Sequence, residues 1–383
     1  MSVSTSDSRP PLERRSTTEG AEDRYFVVNP QPKALSAHRS QAEAFINHHQ
    51  SGGRRVVLVT SGGTTVPLEN QTVRFIDNFS AGTRGATSAE YFLEAGYAVI
   101  FLHRQFSLLP YSRHYSHSTN CFLDFMRESD DGAVIANEKY QSEMRAVLRK
   151  YTKAKRENTL LLLPFTTITD YLWELKTIAM LMQPLGAKGI FYLAAAVSDF
   201  FVPKDKMVEH KIQSSEEGNQ MQKDSANSGL SNGSRAAAVH VEGKKLTVDL
   251  DPVPKFLKRL VTSWAPEGMI VSFKLETDPS MLIGKAQQAL DRYSHHLVIG
   301  NLLSTRKWEV VFVAPDTPAR WIRVPSQRRT KSMSGQEQQA GNVGQSNGDV
   351  GGAEGLETDI EIESLIVPEV EKMHTKHMSK SES

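Results

Sequence analysis

The chain has one cysteine, no long apolar run and almost no net charge. Cys121, the only cysteine among 383 residues, excludes an internal disulfide and a metal site built from several cysteines. No apolar run could span a bilayer, and residues 1–24 lack the apolar region of a secretory signal. The chain has 45 Lys and Arg residues and 44 Asp and Glu residues, a net charge of +1. Its overall charge therefore does not attract it to DNA or to anionic lipid. We therefore expect a cytoplasmic protein with neither a nucleic acid nor a membrane partner.

Polar, low-complexity stretches interrupt the chain. Their Ser, Gly, Asn, Gln and charged residues bury too little apolar surface to offset the entropy lost when a backbone is ordered. We predict a disordered tail over residues 1–23, a single domain over 24–377 and a short tail over 378–383. Two low-complexity insertions are expected within the domain, at about 215–236 and 327–352.

Short apolar runs alternate with helical patterns through most of the patterned sequence. Strands are predicted at 56–60, 98–103, 160–163, 189–194, 269–273, 297–299 and 310–313. Helices are predicted at 86–95, 168–183, 254–263 and 281–293. This alternation predicts an α/β fold with a Rossmann-like, doubly wound and mostly parallel sheet that has helices on both faces.

Two glycine-rich segments could hold an anion. Gly62 follows the first strand directly in a loop that matches neither the dinucleotide nor the Walker pattern, and a glycine pair after a strand is, taken alone, more often a simple turn. Ser80, Gly82 and Gly85 precede a helix whose free N–H groups and dipole favour anions, with Arg84 as a further donor. The alternative is that these glycines only shape a tight connection between strand and helix.

Two further segments follow later strands. Asp199 would lie beyond the end of its strand, where ligands collect in open α/β sheets, with Lys211 as a cation for a transferring phosphate. Phe273 could stack on a base, and Asn301 could donate a hydrogen bond to one. Taken singly, these residues are better explained as a turn former, a solvated lysine, a core aromatic and a turn asparagine.

Taken together in this order, the four segments resemble the eukaryotic phosphopantothenate–cysteine ligases, also called phosphopantothenoylcysteine synthetases. The similarity spans most of residues 40–313 and is weaker over 356–377. It is carried by the strings at 59–64, 74–79, 194–199, 210–214 and 272–278.

The resemblance implies a reaction in two steps on a homodimer. The carboxylate of 4'-phosphopantothenate attacks the α-phosphate of ATP or CTP, with Mg²⁺, and L-cysteine then displaces the nucleotide monophosphate. The family's nucleotide-binding residues match Gly62, Ser80, Gly82, Gly85, Phe273 and Asn301. Its phosphopantothenate-binding residues match Asn78, Ala195, Ala196, Asp199 and, from the second subunit, Arg74. Asn78 is also expected to be catalytic, Lys211 resembles the catalytic lysine of the family's bacterial relatives, and no residue is assigned to a metal.

Two other functions are compatible with the same fold class. One is an oxidoreductase that uses a nicotinamide or flavin cofactor, since a fold does not determine a function. The other is a scaffold without catalytic activity, against which the joint presence of Asn78, Asp199 and Lys211 argues.

Overall fold

A computed structural model describes residues 16–116, 121–213, 238–242, 245–325 and 360–381. Eight strands of this part form one sheet. They are β1 Val56–Ser61, β2 Ala98–Arg104, β3 Leu160–Phe165, β4 Gly189–Leu193, β5 Met269–Glu276, β6 Leu297–Leu302, β7 Glu309–Val313 and β8 Arg320–Arg323. All seven predicted strands are confirmed. The additional strand β8 lies at the edge of the sheet, where one of its four residues is buried.

The sheet has the order β8-β7-β6-β5-β4-β1-β2-β3. Strands β1 to β6 pair in parallel, whereas β7 and β8 add antiparallel pairs at one edge. From β1 the chain winds in one direction through β2 and β3, and from β4 it winds in the other through β5 and β6. The predicted doubly wound, mostly parallel α/β fold is therefore confirmed.

Seven longer helices surround the sheet in the described residues: α1 Ser16–Val28, α2 Leu35–Ser51, α3 Thr83–Glu94, α4 Glu138–Arg156, α5 Ile168–Met182, α6 Pro279–Tyr293 and α7 Glu363–Ser381. The helix predicted at 254–263 is a short α-helix, Phe256–Arg259, continued by a π-helical turn, Leu260–Trp264. Short 3₁₀ turns cover Ser112–His114, Phe122–Phe125, Gln183–Lys188 and Lys204–Lys206. None of the helices described here has the length and apolar character to cross a membrane.

Four two-stranded ribbons extend from this framework. They pair Thr65–Pro67 with Phe75–Asp77, Met126–Glu128 with Val134–Ala136, Phe200–Phe201 with Asp251–Pro252, and Val239–Glu242 with Lys245–Val248. The first of them, with its connecting turn, is called the site hairpin below (residues 65–77).

The apolar core lies on both faces of the sheet. In β1 every residue is buried, and successive side chains point to opposite faces. Val56 and Leu58 pack into the cluster that contains residues of α2 and α5, whereas Val57 and Val59 pack into the cluster that contains residues of α3 and α7. Helices on both faces explain why the strand is a continuous apolar run rather than an alternating one.

The ends of the domain differ from the expectation. Helix α1 begins at Ser16, so the predicted tail over residues 1–23 is wrong for its last part. Glu22 is buried there and pairs with Arg259 at 3.1 Å, because the next turn of α1 packs its aromatic side chains into the core. At the other end α7 runs to Ser381, past the expected boundary at 377. Residues 1–15 and both predicted insertions lie outside the described residues.

The two winding directions meet between β1 and β4. In open α/β sheets, ligands bind beyond the carboxyl ends of the strands at such a point. The loop after β1 contains Gly62, and the loop after β4 contains Ala195, Ala196 and Asp199. The topology therefore places two of the predicted segments side by side.

Candidate active site

The loops that follow β1 and β4 are hydrogen-bonded to each other. The Thr64 N–H donates to the Ala196 carbonyl at 3.0 Å, and the Ala196 N–H donates to the Gly62 carbonyl at 2.8 Å. Two threonine hydroxyls complete the connection, since those of Thr60 and Thr64 accept the N–H groups of Ala195 and Ser198 at 3.1 and 2.9 Å. The loops thus form one surface of backbone and small side chains, against which a ligand can lie closely.

Close backbone contact brings Asn78 to this surface. The Asn78 N–H donates to the Thr64 carbonyl at 3.1 Å. A side chain at Gly63 would place its Cβ only 1.6 Å from the Asn78 carbonyl oxygen, so only glycine fits at this position. Gly62, beside it, has a φ of +84°, which also favours glycine. The sequence indicates that Gly62 and Gly63 let a ligand approach this loop closely, but it does not reveal that Gly63 contacts Asn78.

The glycines at the start of α3 shape the connection to the helix. Gly82 is the N-cap residue with a φ of +84°, and its carbonyl accepts the Ser61 hydroxyl at 3.0 Å. A Cβ at Gly85 would lie 2.4 Å from the Ser61 hydroxyl oxygen, so this glycine allows α3 to pack directly on β1. Since no side chain caps the first turn, the helix also presents amide groups suited to an anion. The two interpretations of these glycines are therefore compatible.

Arg84 does not supply the donor that we expected at this anion site. Its guanidinium donates to the Glu363 carboxylate at 2.7 Å and to the Arg306 carbonyl at 2.5 Å. Both partners come from segments far along the chain, which the sequence pattern could not place beside α3. Ser80 remains next to the helix start, where its hydroxyl accepts the Gly82 N–H at 3.3 Å.

An ion pair that the sequence reasoning missed holds the base of the site hairpin. The Asp77 carboxylate accepts the Arg104 guanidinium at 2.5 Å and the Thr65 hydroxyl at 2.8 Å. Arg104 ends β2, so this pair fastens the hairpin to the main sheet immediately before Asn78.

Asp199 lies at the edge of the loop after β4. Its side chain is exposed, and its carbonyl accepts the Val253 N–H at 2.9 Å. This bond belongs to the ribbon that pairs Phe200–Phe201 with Asp251–Pro252. The backbone around Asp199 is thus fixed while its carboxylate faces solvent, as a ligand-binding position requires.

Phe273 and Asn301 lie on neighbouring strands. Phe273, on β5, packs edge to face against Tyr192 with 5.1 Å between ring centroids, so its ring is half-buried at the border of the core. Asn301, on β6, is buried and lies opposite Leu275 of β5. Both occupy the carboxyl half of their strands, on the same edge of the sheet as the loops described above.

Arg74 lies in the turn of the site hairpin, and the backbone segment that contains Lys211 lies against the same turn. Arg74 is four positions before Asn78, which is roughly 13 Å along an extended strand. The segment that contains Lys211 contacts the turn of the hairpin through the Ile212 N–H, which donates to Glu69 at 3.3 Å. The backbone contacts therefore place the segment that contains Lys211 beside the turn that contains Arg74.

A cavity of about 320 Å³ lies beside the same hairpin. Its lining includes Val66, Pro67, Thr167, Asp170 and Phe201, and none of the predicted site residues.

Within the described part of the chain, no group of three His, Cys, Asp or Glu side chains could hold a metal ion. Mg²⁺ bound through nucleotide phosphates needs no such group, because it keeps several of its waters.

Comparisons with known proteins agree with this geometry. Residues 52–129 match the family described as the C-terminal domain of the DNA/pantothenate metabolism flavoprotein. The chain is 52% identical to the phosphopantothenate–cysteine ligase Cab2 of Saccharomyces cerevisiae, over 80% of this chain and 81% of the yeast protein. It is 38% identical to the human phosphopantothenate–cysteine ligase, over 90% and 94% of the two chains.

A solved structure has the same fold. It is that of a Cab2 mutant in complex with phosphopantothenate-cysteine, with a TM-score of 0.76 and 46% identity. The match covers 94% of this chain and all of the Cab2 chain. From the fold, the arrangement of the loops and these identities, the chain belongs to the phosphopantothenate–cysteine ligase family.

Proposed function

We propose that the protein condenses 4'-phosphopantothenate with L-cysteine through an acyl-nucleotide intermediate, in the pathway to coenzyme A. The observation that carries this proposal is the convergence of Gly62, Asn78 and Ala196 at the meeting point of β1 and β4. Membership of the ligase family supports the same reaction.

In the first step, a carboxylate oxygen of phosphopantothenate attacks the α-phosphorus of the nucleotide and pyrophosphate leaves. In the second step, the cysteine amine attacks the acyl carbonyl carbon, loses a proton, and displaces the nucleotide monophosphate. A carboxylate is a poor electrophile, and the acyl phosphate bond activates it. The reaction therefore needs no nucleophile from the protein, and none is assigned.

Each site residue has a role in this proposal that suits its position. Gly62 in the loop after β1, and Ser80, Gly82 and Gly85 at the start of α3, bind the nucleotide phosphates with backbone and hydroxyl donors. Phe273 and Asn301 contact the base, with ATP or CTP as the nucleotide and Mg²⁺ on its phosphates.

The second substrate lies on the adjoining surface. Ala195 and Ala196 leave room for phosphopantothenate against the backbone, and Asp199 accepts a hydrogen bond from one of its polar groups. The side chain of Asn78 orients the reacting carboxyl group. It then donates a hydrogen bond to the carbonyl oxygen when cysteine attacks.

A cytoplasmic homodimer completes the proposal. The site hairpin and the residue after Asn78 expose large apolar side chains, namely Val73, Phe75, Ile76 and Phe79, with Phe79 87% exposed. Apolar groups concentrated on one projecting element are typical of an interface. A second subunit at this surface would bring Arg74 to the partner's substrate, although it is distant from Asn78 along its own strand.

The reaction is tested by measuring pyrophosphate release with ATP and with CTP, leaving out phosphopantothenate or cysteine in turn. We expect release to require phosphopantothenate, and nucleotide monophosphate to form only when cysteine is added. Release without phosphopantothenate, or none with both substrates, would contradict the proposal. Reduction of a nicotinamide or a bound chromophore would instead indicate the oxidoreductase, and the absence of any turnover would indicate the scaffold.

The role of Arg74 is tested by mixing two inactive variants. In a heterodimer of Arg74→Ala and Asn78→Ala subunits, one composite site has both residues intact. We therefore expect activity to return after subunit exchange. No return, with exchange verified by differently tagged subunits, would place Arg74 in the site of its own subunit.

A further inference from the structure

A buried carboxylate lies at the tip of the site hairpin. Glu69 has 0% exposure. Its Oε2 accepts the backbone N–H groups of Val73 at 2.9 Å and Arg74 at 2.8 Å. Its Oε1 accepts the Arg74 guanidinium at 3.0 Å and the Ile212 N–H at 3.3 Å. Both oxygens are thus fully engaged, which is the condition under which a carboxylate can be buried.

These bonds also govern the charge of Glu69. Burial alone would raise the pKa of its carboxyl, but the N–H donors of Arg74, Val73 and Ile212 outweigh burial and hold the pKa below its ordinary value. A charged carboxylate in turn fixes the Arg74 guanidinium, whose side chain remains 36% exposed and so is accessible to an anion.

The segment that contains Lys211 is attached to the same tip. The Asn70 N–H donates to the Val208 carbonyl at 2.9 Å, and the Gln71 N–H donates to the Glu209 carbonyl at 3.0 Å. Together with the bond from the Ile212 N–H to Glu69, they hold the backbone on both sides of Lys211. The turn that contains Arg74 and the segment that contains Lys211 are therefore joined by several bonds, and Glu69 Oε1 contacts both of them.

We infer that Glu69 is a positioning residue that holds Arg74 and Lys211 as one unit, so that both cations act in the same active site. The inference rests on the proposed roles of these two residues. If Arg74 acts in the site of the partner subunit, Lys211 acts there too. Each active site would then take its glycine loops from one subunit and both of its cations from the other.

Mixed dimers test whether the two cations share a site. When Arg74→Ala subunits are mixed with Lys211→Gln subunits, every site lacks one cation if both come from the same subunit. We therefore expect no activity to return. Mixing Lys211→Gln with Asn78→Ala should give the same result as mixing Arg74→Ala with Asn78→Ala. Recovery in the first mixture overturns the inference, whichever subunit Arg74 serves.

Glu69 itself is tested against a matched carboxylate. Glu209 is exposed and accepts the Asn70 side chain at 3.0 Å, so it joins the same two segments without contacting Arg74. Loss of a hydrogen bond to a charged group changes a binding constant about tenfold. We expect Glu69→Gln to raise the KM for phosphopantothenate and to slow acyl-nucleotide formation, each about tenfold, while the nucleotide KM stays within about twofold of wild type. Glu209→Gln should keep all three values within about twofold.

The outcomes separate this inference from the proposed function. If neither Arg74→Ala nor Lys211→Gln alone changes these values, the proposed roles are wrong. If both do but Glu69→Gln behaves as wild type, or raises the nucleotide KM equally, Glu69 is not a positioning residue. If Glu69→Gln fails to fold, the test uses Glu69→Asp instead. This variant keeps the negative charge, but its shorter side chain moves the carboxylate oxygens away from Arg74 and Ile212. An unchanged KM for phosphopantothenate in that variant overturns the inference.

Discussion

At the scale of single residues, the proposed division of work places Lys211 and Asn78 in different steps. Negative charge builds on the α-phosphate during acyl-nucleotide formation, which suits a cation. In the later attack by cysteine, charge develops on the acyl carbonyl oxygen, which suits a neutral amide donor. The two residues also lie in different segments, Lys211 with the hairpin tip and Asn78 beside Thr64.

We therefore expect Lys211→Gln to form no detectable acyl-nucleotide. Removal of one preorganised donor costs about a hundredfold to a thousandfold in rate. Asn78→Asp should form some intermediate, which cysteine then consumes slowly. Rapid quenching with labelled phosphopantothenate measures both, and accumulation at the wild-type rate in the lysine variant would show that Lys211 does not act in the first step.

Gly63 gives a second prediction at this scale. A methyl group there meets the backbone carbonyl of Asn78, which cannot move without distorting the hairpin. We expect Gly63→Ala to lower the free energy of unfolding and to abolish turnover, as measured by denaturant titration and pyrophosphate release. The control is Gly284→Ala on α6, where the added methyl meets nothing within 4 Å. That variant should gain about 0.5–1 kcal/mol from helix propensity and remain active.

At the scale of elements, Arg84 connects α3 with α7 and with the loop after β6. Glu363, in the first turn of α7, binds Arg84 of α3, and the same guanidinium binds the Arg306 carbonyl in the loop after β6. Just before α7, the Glu361 carboxylate accepts the Arg113 guanidinium at 2.6 Å. Burial raises the pKa of Glu363, whereas the nearby Arg84 opposes this effect. Glu363 therefore needs its close contact with Arg84 to remain charged when buried.

Substitution of Glu363 should accordingly destabilise the fold. In Glu363→Gln the half-buried Arg84 loses its charged acceptor, and we expect the free energy of unfolding to fall by about 2 kcal/mol. The control is Glu369→Gln on the same helix, because Glu369 pairs with the exposed side chains of Arg320 and Lys372. An exposed pair of this kind contributes less than about 1 kcal/mol. Equal midpoints for the two variants in urea unfolding would argue against a structural role for Glu363.

At the scale of the whole molecule, buried and half-buried histidines link stability to pH. Burial lowers the pKa of His295, His296 and His374 to about 4, from an ordinary value of 6.5. His374 donates to the Ala187 carbonyl at 2.7 Å, so its other ring nitrogen accepts the Tyr97 hydroxyl at 2.9 Å. His296 likewise accepts the Ile270 N–H at 3.1 Å. Their bonds therefore require neutral rings.

The unfolded chain takes up these protons first as the pH falls, because its histidines have the higher pKa. The free energy of unfolding should then decrease between pH 6.5 and about 4, by about 1.4 kcal/mol per pH unit for each histidine, and should not depend on them above pH 6.5. Urea titrations from pH 7 to pH 4.5 measure this slope. His374→Gln should have a shallower slope, and a wild-type slope in that variant would show that His374 does not contribute.

Much of the fold and part of the site followed from the sequence alone. The seven strands could be predicted because a strand in a sheet covered on both faces consists of consecutive apolar residues. Such a run can be recognised from adjacent residues alone. The loop at Gly62 and the helix start at Gly82 were found for a similar reason, since a turn or a helix end is a property of adjacent residues. The family resemblance then assigned these segments to one active site, although the sequence shows no contact between them.

Only the tertiary structure decided which distant residues meet. It joined the loops after β1 and β4, turned Arg84 towards Glu363, and placed the segment that contains Lys211 beside Glu69. It also ordered the end of the expected tail, because Glu22 found a partner in Arg259. These outcomes depend on contacts between residues far apart in the chain, and the free energy of burying a charge is set by its partners rather than by its sequence neighbours.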